Sequence, residues 1–287
     1  MFDWDNWWAV EYSSGPSVDL KYLTEVQKYY DAFHRQNIPV DMIGVETDLE
    51  NYDLVIAPLL YMVKPGYTQR LEAFVEAGGS FVTTFFSGIV NETDLVTLGG
   101  YPGELRPLLG IWAEEIDALT PEMTNQIVME KPIGTLQDVY TCVLLCDLIH
   151  AEGAKVLATY GRDFYQDMPV LTRNAFGKGQ AWYVASSPEP KFLEDLALHL
   201  CTEKNIEPLL ETPIGVEVTR RNKEGENYLF LLNHNSDITT VNLGDVRGRD
   251  LLGSREVTGS ATLPAHGVMI LQLEQNSDHK GDPLEQR

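Results

Sequence analysis

Four groups of residues in this sequence have types and spacings that could carry chemistry. Glu114-Glu115 is the only adjacent glutamate pair. Two-carboxylate catalysis needs one protonated and one ionised carboxyl converging on a substrate from different directions. Neighbours in a chain rarely converge in that way, and this pair follows an apolar Gly110-Ile-Trp segment. Ser87 ends an apolar stretch, Ser80 to Phe86, and precedes Gly88. A serine on such a turn becomes a nucleophile only with a base beside it. His34, His150, His199, His234 and His266 show no recognisable pairing with it, and the turn is not a G-x-S-x-G elbow. The bland reading is a hydrogen-bonded turn serine. Trp4, Trp7 and Trp8 form an aromatic cluster. Such rings can stack on a sugar face, but at the end of an element they more commonly serve an interface or core. Gly99-Gly-Tyr-Pro-Gly103 lacks the Lys-Ser/Thr that follows a phosphate-binding loop.

The elements that must position these residues follow from periodicity. Leu20, Leu23, Val26, Tyr30 and Phe33 recur at helical spacing between Ser17 and about Asn37. Pro39 to Val45 and Leu54 to Tyr61 read as strands, and Thr68 caps a short helix that stops at Gly78-Gly79. Ser80 to Phe86, Val139 to Ile149 and Lys155 to Tyr160 read as further strands, the second of a length that could also suit a helix. Pro169 to Phe176 and Gln180 to Ser186 read as a hairpin about Gly177-Lys-Gly179, and Pro188 to Asn205 as a helix burying Phe192, Leu193, Leu196 and Leu200. Near-continuous apolar strands alternating with helices predict an α/β fold, flavodoxin-like or like the class I glutamine amidotransferases, as a three-layer sandwich. From Gly215 onward only short strands and turns follow, at Val216 to Arg220, Tyr228 to Asn233, Thr239 to Leu243 and Val268 to Leu273. That pattern predicts a small antiparallel β-sandwich. The expected division is 1–212, 213–274 and a disordered tail at 275–287 with almost no apolar content.

One element is short. The first helix needs a strand before it, yet only Met1 to Trp4 precede the polar-aromatic Asp5-Asn-Trp-Trp8. That is below the usual strand length of about five or six residues, so the expectation is a truncated first strand.

Composition narrows the partners. The 43 acidic and 21 basic residues give a net charge of -22, which disfavours nucleic acid and a polybasic membrane footprint. No apolar run reaches the roughly 20 residues of a membrane helix. No basic segment precedes an apolar one at the start. Cys142 and Cys146, four apart in an apolar run, and Cys201 read as reduced, mostly buried thiols rather than a disulfide framework or a metal site. The expectation is a cytoplasmic protein without cofactor or metal.

Several segments together resemble one family. Phe2-Asp-Trp-Asp-Asn-Trp-Trp-Ala9, Gly15-Pro-Ser17, Tyr29 to Phe33, Asn37 to Asp41 and Tyr52 to Pro58 are similar to the opening of the trimerisation domain of family 42 β-galactosidases. The likeness is strongest at Gly78-Gly79, Thr83 to Val90 and Gly99 to Gly103. It continues through Gly153-Ala154, Ala158 to Tyr160, Arg173, Phe176 to Gly179 and Tyr183 to Ala185. Leu229 to His234 and Leu263 to Gly267 resemble that family's small C-terminal β domain. The resemblance implies a retaining β-galactosidase of three parts: a (β/α)-barrel carrying both catalytic glutamates, this α/β domain, and the β domain. Retention needs those carboxyls about 5 Å apart. The positions that would bear them precede the motif at Phe2, so no catalytic residue carries over. The implied role is non-catalytic: holding a homotrimer together and walling the active-site entrance against the barrel, with Trp4, Trp7 and Trp8 as interface or entrance contacts. Two rivals stand beside it: an amidotransferase-like enzyme using Ser87 or a carboxylate, and a galactoside-binding module working through the tryptophans.

Overall fold

In the computed structural model, which describes residues 1–12 and 15–274, the chain groups into two compact units. One comprises Met1–Ala32 with Met42–Asn205, the other Phe33–Asp41 with the chain from Ile206 onward.

The first unit is built on a mixed nine-stranded sheet. Its strands are β1 (Leu54–Ala57), β2 (Ser80–Thr84), β3 (Ile111–Ala118), β4 (Asn125–Met129), β5 (Val139–Ala151), β6 (Lys155–Tyr160), β7 (Pro169–Phe176), β8 (Gly179–Val184) and β9 (Ser186–Pro188). They run in the order β1-β2-β8-β7-β6-β4-β5-β3, with β9 also pairing β5. Only β1, β2 and β8 are mutually parallel, and the remaining pairings are antiparallel. Every residue of β2 is buried, so the sheet is covered on both faces at its parallel end. The helices are α1 (Trp4–Tyr12), α2 (Tyr22–His34), α3 (Tyr67–Ala77), the single-turn α4 (Arg106–Leu109) and α5 (Pro190–Lys204).

Local chemistry explains where these elements start and stop. α3 begins one residue before Thr68, after Gly66 in the left-handed conformation, so Thr68 lies buried within the first turn and does not cap it. The stripe Leu71, Phe74 and Val75 is buried, and Gly78 at φ 125° returns its N–H to Phe74 and Val75 carbonyls. α5 starts with Pro190 in its first turn and ends at Asn205 in the left-handed conformation, with Phe192, Leu193, Leu196 and Leu200 inside. The β7–β8 hairpin packs backbone to backbone on the end of α3. A Cβ at Gly179 would lie 2.1 Å from the Gly79 carbonyl oxygen, and one at Gly177 2.5 Å from Glu76 Cα. Lys178 N–H reaches Glu76 O at 3.1 Å and Gln180 N–H reaches Gly79 O at 3.2 Å. The two glycine pairs therefore meet each other, which neither segment shows alone.

Several expectations are corrected. Residues 39–45 form no strand; the segment instead presents Ile43 O to Phe2 N–H at 2.8 Å. The amino group of Met1 bonds Ile56 O, so the first two residues run between Ile43 and β1. The strand from Leu54 stops at Ala57. Residues 4–12, read as a polar-aromatic connection, are helical. β3 and β4 are additional: β3 is an edge strand with Glu114 and Glu115 exposed, so it shows no apolar run.

The second unit is one five-stranded antiparallel sheet in the order β10 (Val216–Lys223), β11 (Glu226–Asn233), β14 (Val268–Leu273), β12 (Thr239–Asp250), β13 (Arg255–Leu263). Two irregularities in β12, between Asn242 and Gly244 and between Gly244 and Arg247, bend it. β12 pairs with β13 along its length, while only its end, Gly248 to Asp250, also pairs with β14, around one core of Val218, Leu231, Val241, Leu243, Leu263 and Leu271. The Asn37 side chain ties the 33–41 segment into this unit, accepting from Val218 N–H at 2.9 Å and donating to Thr212 Oγ1 at 2.7 Å. Residues 275–287, expected to be a tail, lie outside the described residues.

Candidate functional site: the aromatic face of the first helix

The site is built from the start of α1. Asp3 caps the helix, its Oδ2 accepting from Asn6 N–H at 3.4 Å and from Asn6 Nδ2 at 2.7 Å. Asn6 is buried and clamps one backbone unit of the segment after β1 from both sides. Its Oδ1 accepts from Met62 N–H at 2.7 Å and its Nδ2 donates to Met62 O at 3.1 Å. Lys64 closes the arrangement, with Nζ 2.8 Å from both Asp3 Oδ1 and Asp5 Oδ2. Asp3 N–H donates to the Tyr22 hydroxyl at 3.0 Å, a phenol that burial pushes well above its usual pKa. Ala9 and Val10 face a cluster formed with Leu20, Val26, Leu59, Phe86 and Leu145.

This anchoring fixes which aromatics point outward. Trp4, Trp8 and Tyr12, spaced four apart along one helix face, are 58%, 53% and 83% exposed. Trp7 packs against the cluster beneath and its indole N–H donates to Glu11 Oε1 at 2.8 Å. Phe2 supports Trp4 edge-on, with ring centroids 5.0 Å apart. The three tryptophans are thus brought together, with Trp4 and Trp8 presented and Trp7 behind them. Beside the face lies an open cleft of about 460 Å³ lined by Asp5, Trp8, Ala9, Tyr12, Met62, Glu92 and Asp94. Tyr12, Glu92 and Asp94 were not visible as members; only the helix and the return of the 90s loop bring them there.

The other candidates are not brought to this face. Glu114 bonds His150 Nε2 at 2.8 Å on edge strand β3, and the bulge there sets Glu115 opposite Leu148. Ser87 is 1% exposed, its hydroxyl accepting Leu60 N–H at 3.0 Å and touching Thr83 Oγ1 at 2.9 Å. The strained residue of that turn is Phe86, at φ 58°. The elbow therefore holds an apolar side chain, and the serine behind it is sealed. The glycine loop packs too: a Cβ on Gly88 would lie 2.0 Å from Pro102 O, and one on Gly100 2.6 Å from Trp112 Nε1. His199 is buried against Trp182, and His234 bonds Glu217. Among the described residues no group of three or more His, Cys, Asp or Glu could hold a metal. No described helix is long and apolar enough to cross a membrane.

Asp147 was missed by sequence reasoning because it sits alone in an apolar run. Its Oδ2 accepts from Phe86 N–H at 2.9 Å and from the Tyr183 hydroxyl at 2.6 Å. Burial pushes its carboxyl up to about 7, against the lowering effect of those two donors. It has the pKa of a general acid but no opening to a substrate, so it holds the turn after β2 to β8.

The fold and these sites together describe a scaffold with a presented aromatic face beside an open cleft. Two family models cover it: "Beta-galactosidase trimerisation domain" over residues 1–207 and "Beta-galactosidase C-terminal domain" over 215–273. The β-galactosidase BgaP of Planococcus sp. (strain L4) is 60% identical over 271 residues, covering 94% of this chain and 40% of that protein. β-Galactosidase Pbg of Clostridium perfringens is 42% identical over 279 residues, covering 95% of this chain and 40% of that protein. The crystal structure of a β-galactosidase from Bacillus circulans sp. alkalophilus superposes with a TM-score of 0.94 at 59% identity, over 96% of this chain and 41% of that one. The chain belongs to the family 42 β-galactosidases, matching their non-catalytic trimerisation and C-terminal domains. It spans about 40% of the length of the curated relatives it matches.

Proposed function

We propose that this chain serves assembly in a family 42 β-galactosidase, holding a homotrimer together and shaping the entrance to active sites whose catalytic glutamates lie in the barrel. Hydrolysis of terminal β-D-galactosides belongs to the complete enzyme in this reading. The observation that carries it is the match of both non-catalytic domain models over 1–207 and 215–273 in a chain spanning 40% of its relatives. Trp4 and Trp8, with Trp7 behind them, are the contacts to the barrel or to a neighbouring subunit. Large exposed aromatics on a firmly anchored helix suit an interface. We assign 1–212 to assembly and 213–274 to the accessory β domain. Three free cysteines suit the reducing cytoplasm. Light scattering across a concentration series tests the assembly role: a trimeric mass supports it, and a monomer at every concentration contradicts a self-sufficient trimer.

A second reading is favoured by the cleft beside α1. Carboxylates of Asp5, Glu92 and Asp94 next to Trp8 and Tyr12 match the mixture of hydrogen-bond acceptors and aromatic faces that holds a pyranose. In this reading the chain binds galactosides. Calorimetry with galactose distinguishes the two: heat that saturates at millimolar sugar supports the binding reading, and none removes it.

A further inference from the structure

A ring of three identical copies closes through heterologous contacts, in which one patch on each copy meets a different patch on the next. The outer face of α1 supplies one such patch. Among the described residues the exposed aromatic side chains are Trp4, Trp8 and Tyr12 on that face and, apart from them, Phe164. Phe164 is 74% exposed, on the loop between β6 and β7. Two successive residues of β3 show where this loop lies. Ile116 packs against the cluster beneath α1, while its neighbour Asp117 holds the Tyr165 hydroxyl at 2.8 Å. Adjacent strand residues point to opposite faces of a sheet. α1 and the Phe164 loop therefore lie on opposite faces and cannot meet within one chain.

The two patches are anchored in the same way. Asn125 is buried and clamps one backbone unit, its Oδ1 accepting from Arg162 N–H at 3.0 Å and its Nδ2 donating to Arg162 O at 3.1 Å. Asn6 does the same to Met62 beneath α1. Further along the loop, Asp167 N–H reaches Tyr160 O at 2.9 Å and Met168 N–H reaches Tyr165 O at 3.1 Å. Asp163 and Asp167 take φ 72° and 70°, a strain that only a firmly held loop sustains. Tyr165 supports Phe164 edge-on, with centroids 4.9 Å apart. A ring presented on so fixed a loop loses little freedom on binding. Charge fits as well. Asp5, Glu92 and Asp94 line the cleft beside α1, and of these Asp5 already pairs with Lys64. The exposed Arg162 stands two residues from Phe164, while Asp163 turns back, its Oδ1 accepting Phe164 N–H at 2.7 Å.

We propose that the Phe164 loop of one copy of this chain packs into the cleft beside α1 of the next, with Phe164 against Trp8 and Tyr12 and Arg162 facing Glu92 and Asp94. This pairing rests on the homotrimer proposed above and identifies the two surfaces that meet in it. Each copy offers one loop and receives another, so the contacts close into a ring and neither patch is left open. Burial of the three rings supplies the attraction. The charges fix register and partner.

The test is light scattering on the 287-residue chain and on variants shown to be folded by circular dichroism. The parent is expected to be trimeric, and Phe164→Ala to need at least about tenfold more protein to assemble. Arg162→Glu should weaken assembly too, and adding Glu92→Arg to it should restore part of the loss. The sharpest arm mixes Trp8→Ala, whose loop is intact, with Phe164→Ala, whose cleft is intact. One good contact remains between them, so a complex of two copies is expected that neither variant forms alone. A trimer that persists in Phe164→Ala, or a mixture that forms no complex, overturns the pairing and leaves the assembly role standing. If Phe164→Ala does not fold, the charge exchange decides, and undiminished assembly in Arg162→Glu overturns the pairing. A parent that is monomeric at every concentration overturns both the pairing and the assembly role.

Discussion

The outer face of α1 and the turn after β2 are both dense in chemically capable groups, and they differ in one respect. At the turn, Asp147 carries a strongly shifted pKa, Phe86 is strained and Ser87 is hydrogen-bonded, yet everything there is sealed. On α1, Trp4, Trp8 and Tyr12 are open to solvent beside a cleft. A perturbed titration marks a functional site only when a substrate can reach it. Here the perturbed group is structural, and the presented face is the one fitted to contact.

That contrast can be broken by substitution, and the largest effect is expected at Asp147. Its folded pKa near 7 stands above the ordinary value of 3.8, so the folded state binds the extra proton between those values. Stability contributed by this group is present at acid pH and is lost as pH rises from about 4 to 7, by roughly 4 kcal/mol at most. Asp147→Asn keeps an acceptor for Phe86 and Tyr183 while removing the titration. Denaturant melts at several pH values should show the difference between variant and parent changing in favour of the variant toward neutral pH. A constant difference would mean the carboxyl does not titrate there.

Next in size is Asn6→Ala, which leaves the Met62 N–H and carbonyl without their buried partner. It should cost about 2–4 kcal/mol by equilibrium unfolding, since each orphaned buried group costs roughly 1–3 kcal/mol. A loss under about 0.5 kcal/mol would mean α1 is held by its apolar side alone. Gly179→Ala pushes a methyl against the Gly79 backbone and should cost about 1–3 kcal/mol, because backbone cannot rotate aside as a side chain does. The smallest effect on folding belongs to Trp8→Ala, under about 1 kcal/mol for an exposed ring. Its effect should appear instead in light scattering, as weaker association. Unchanged association together with a large loss of stability would invert the comparison and make α1 a core element.

Much of the fold was legible because it depends on local chemistry. α3, α5, the β7–β8 hairpin and β2 carry their own stop signals and apolar runs. α1 was not legible, because its sequence has no continuous apolar stripe and its anchor is the long-range clamp of Asn6 on Met62. β3 hid behind Glu114, Glu115 and Asp117, tolerated on an edge strand. The second half of β12 hid behind Gly244, Arg247 and Arg249, tolerated by its bulges. At the site, the tryptophans were readable as residues, but which of them face outward depends on helical geometry that their spacing alone does not declare.

The most direct test of the non-catalytic reading is turnover of a nitrophenyl β-galactoside by the purified chain. No hydrolysis above a buffer blank is expected at any concentration of the chain. Hydrolysis that scales with the chain, persists through further purification and falls on substitution of one of its own carboxylates would contradict it.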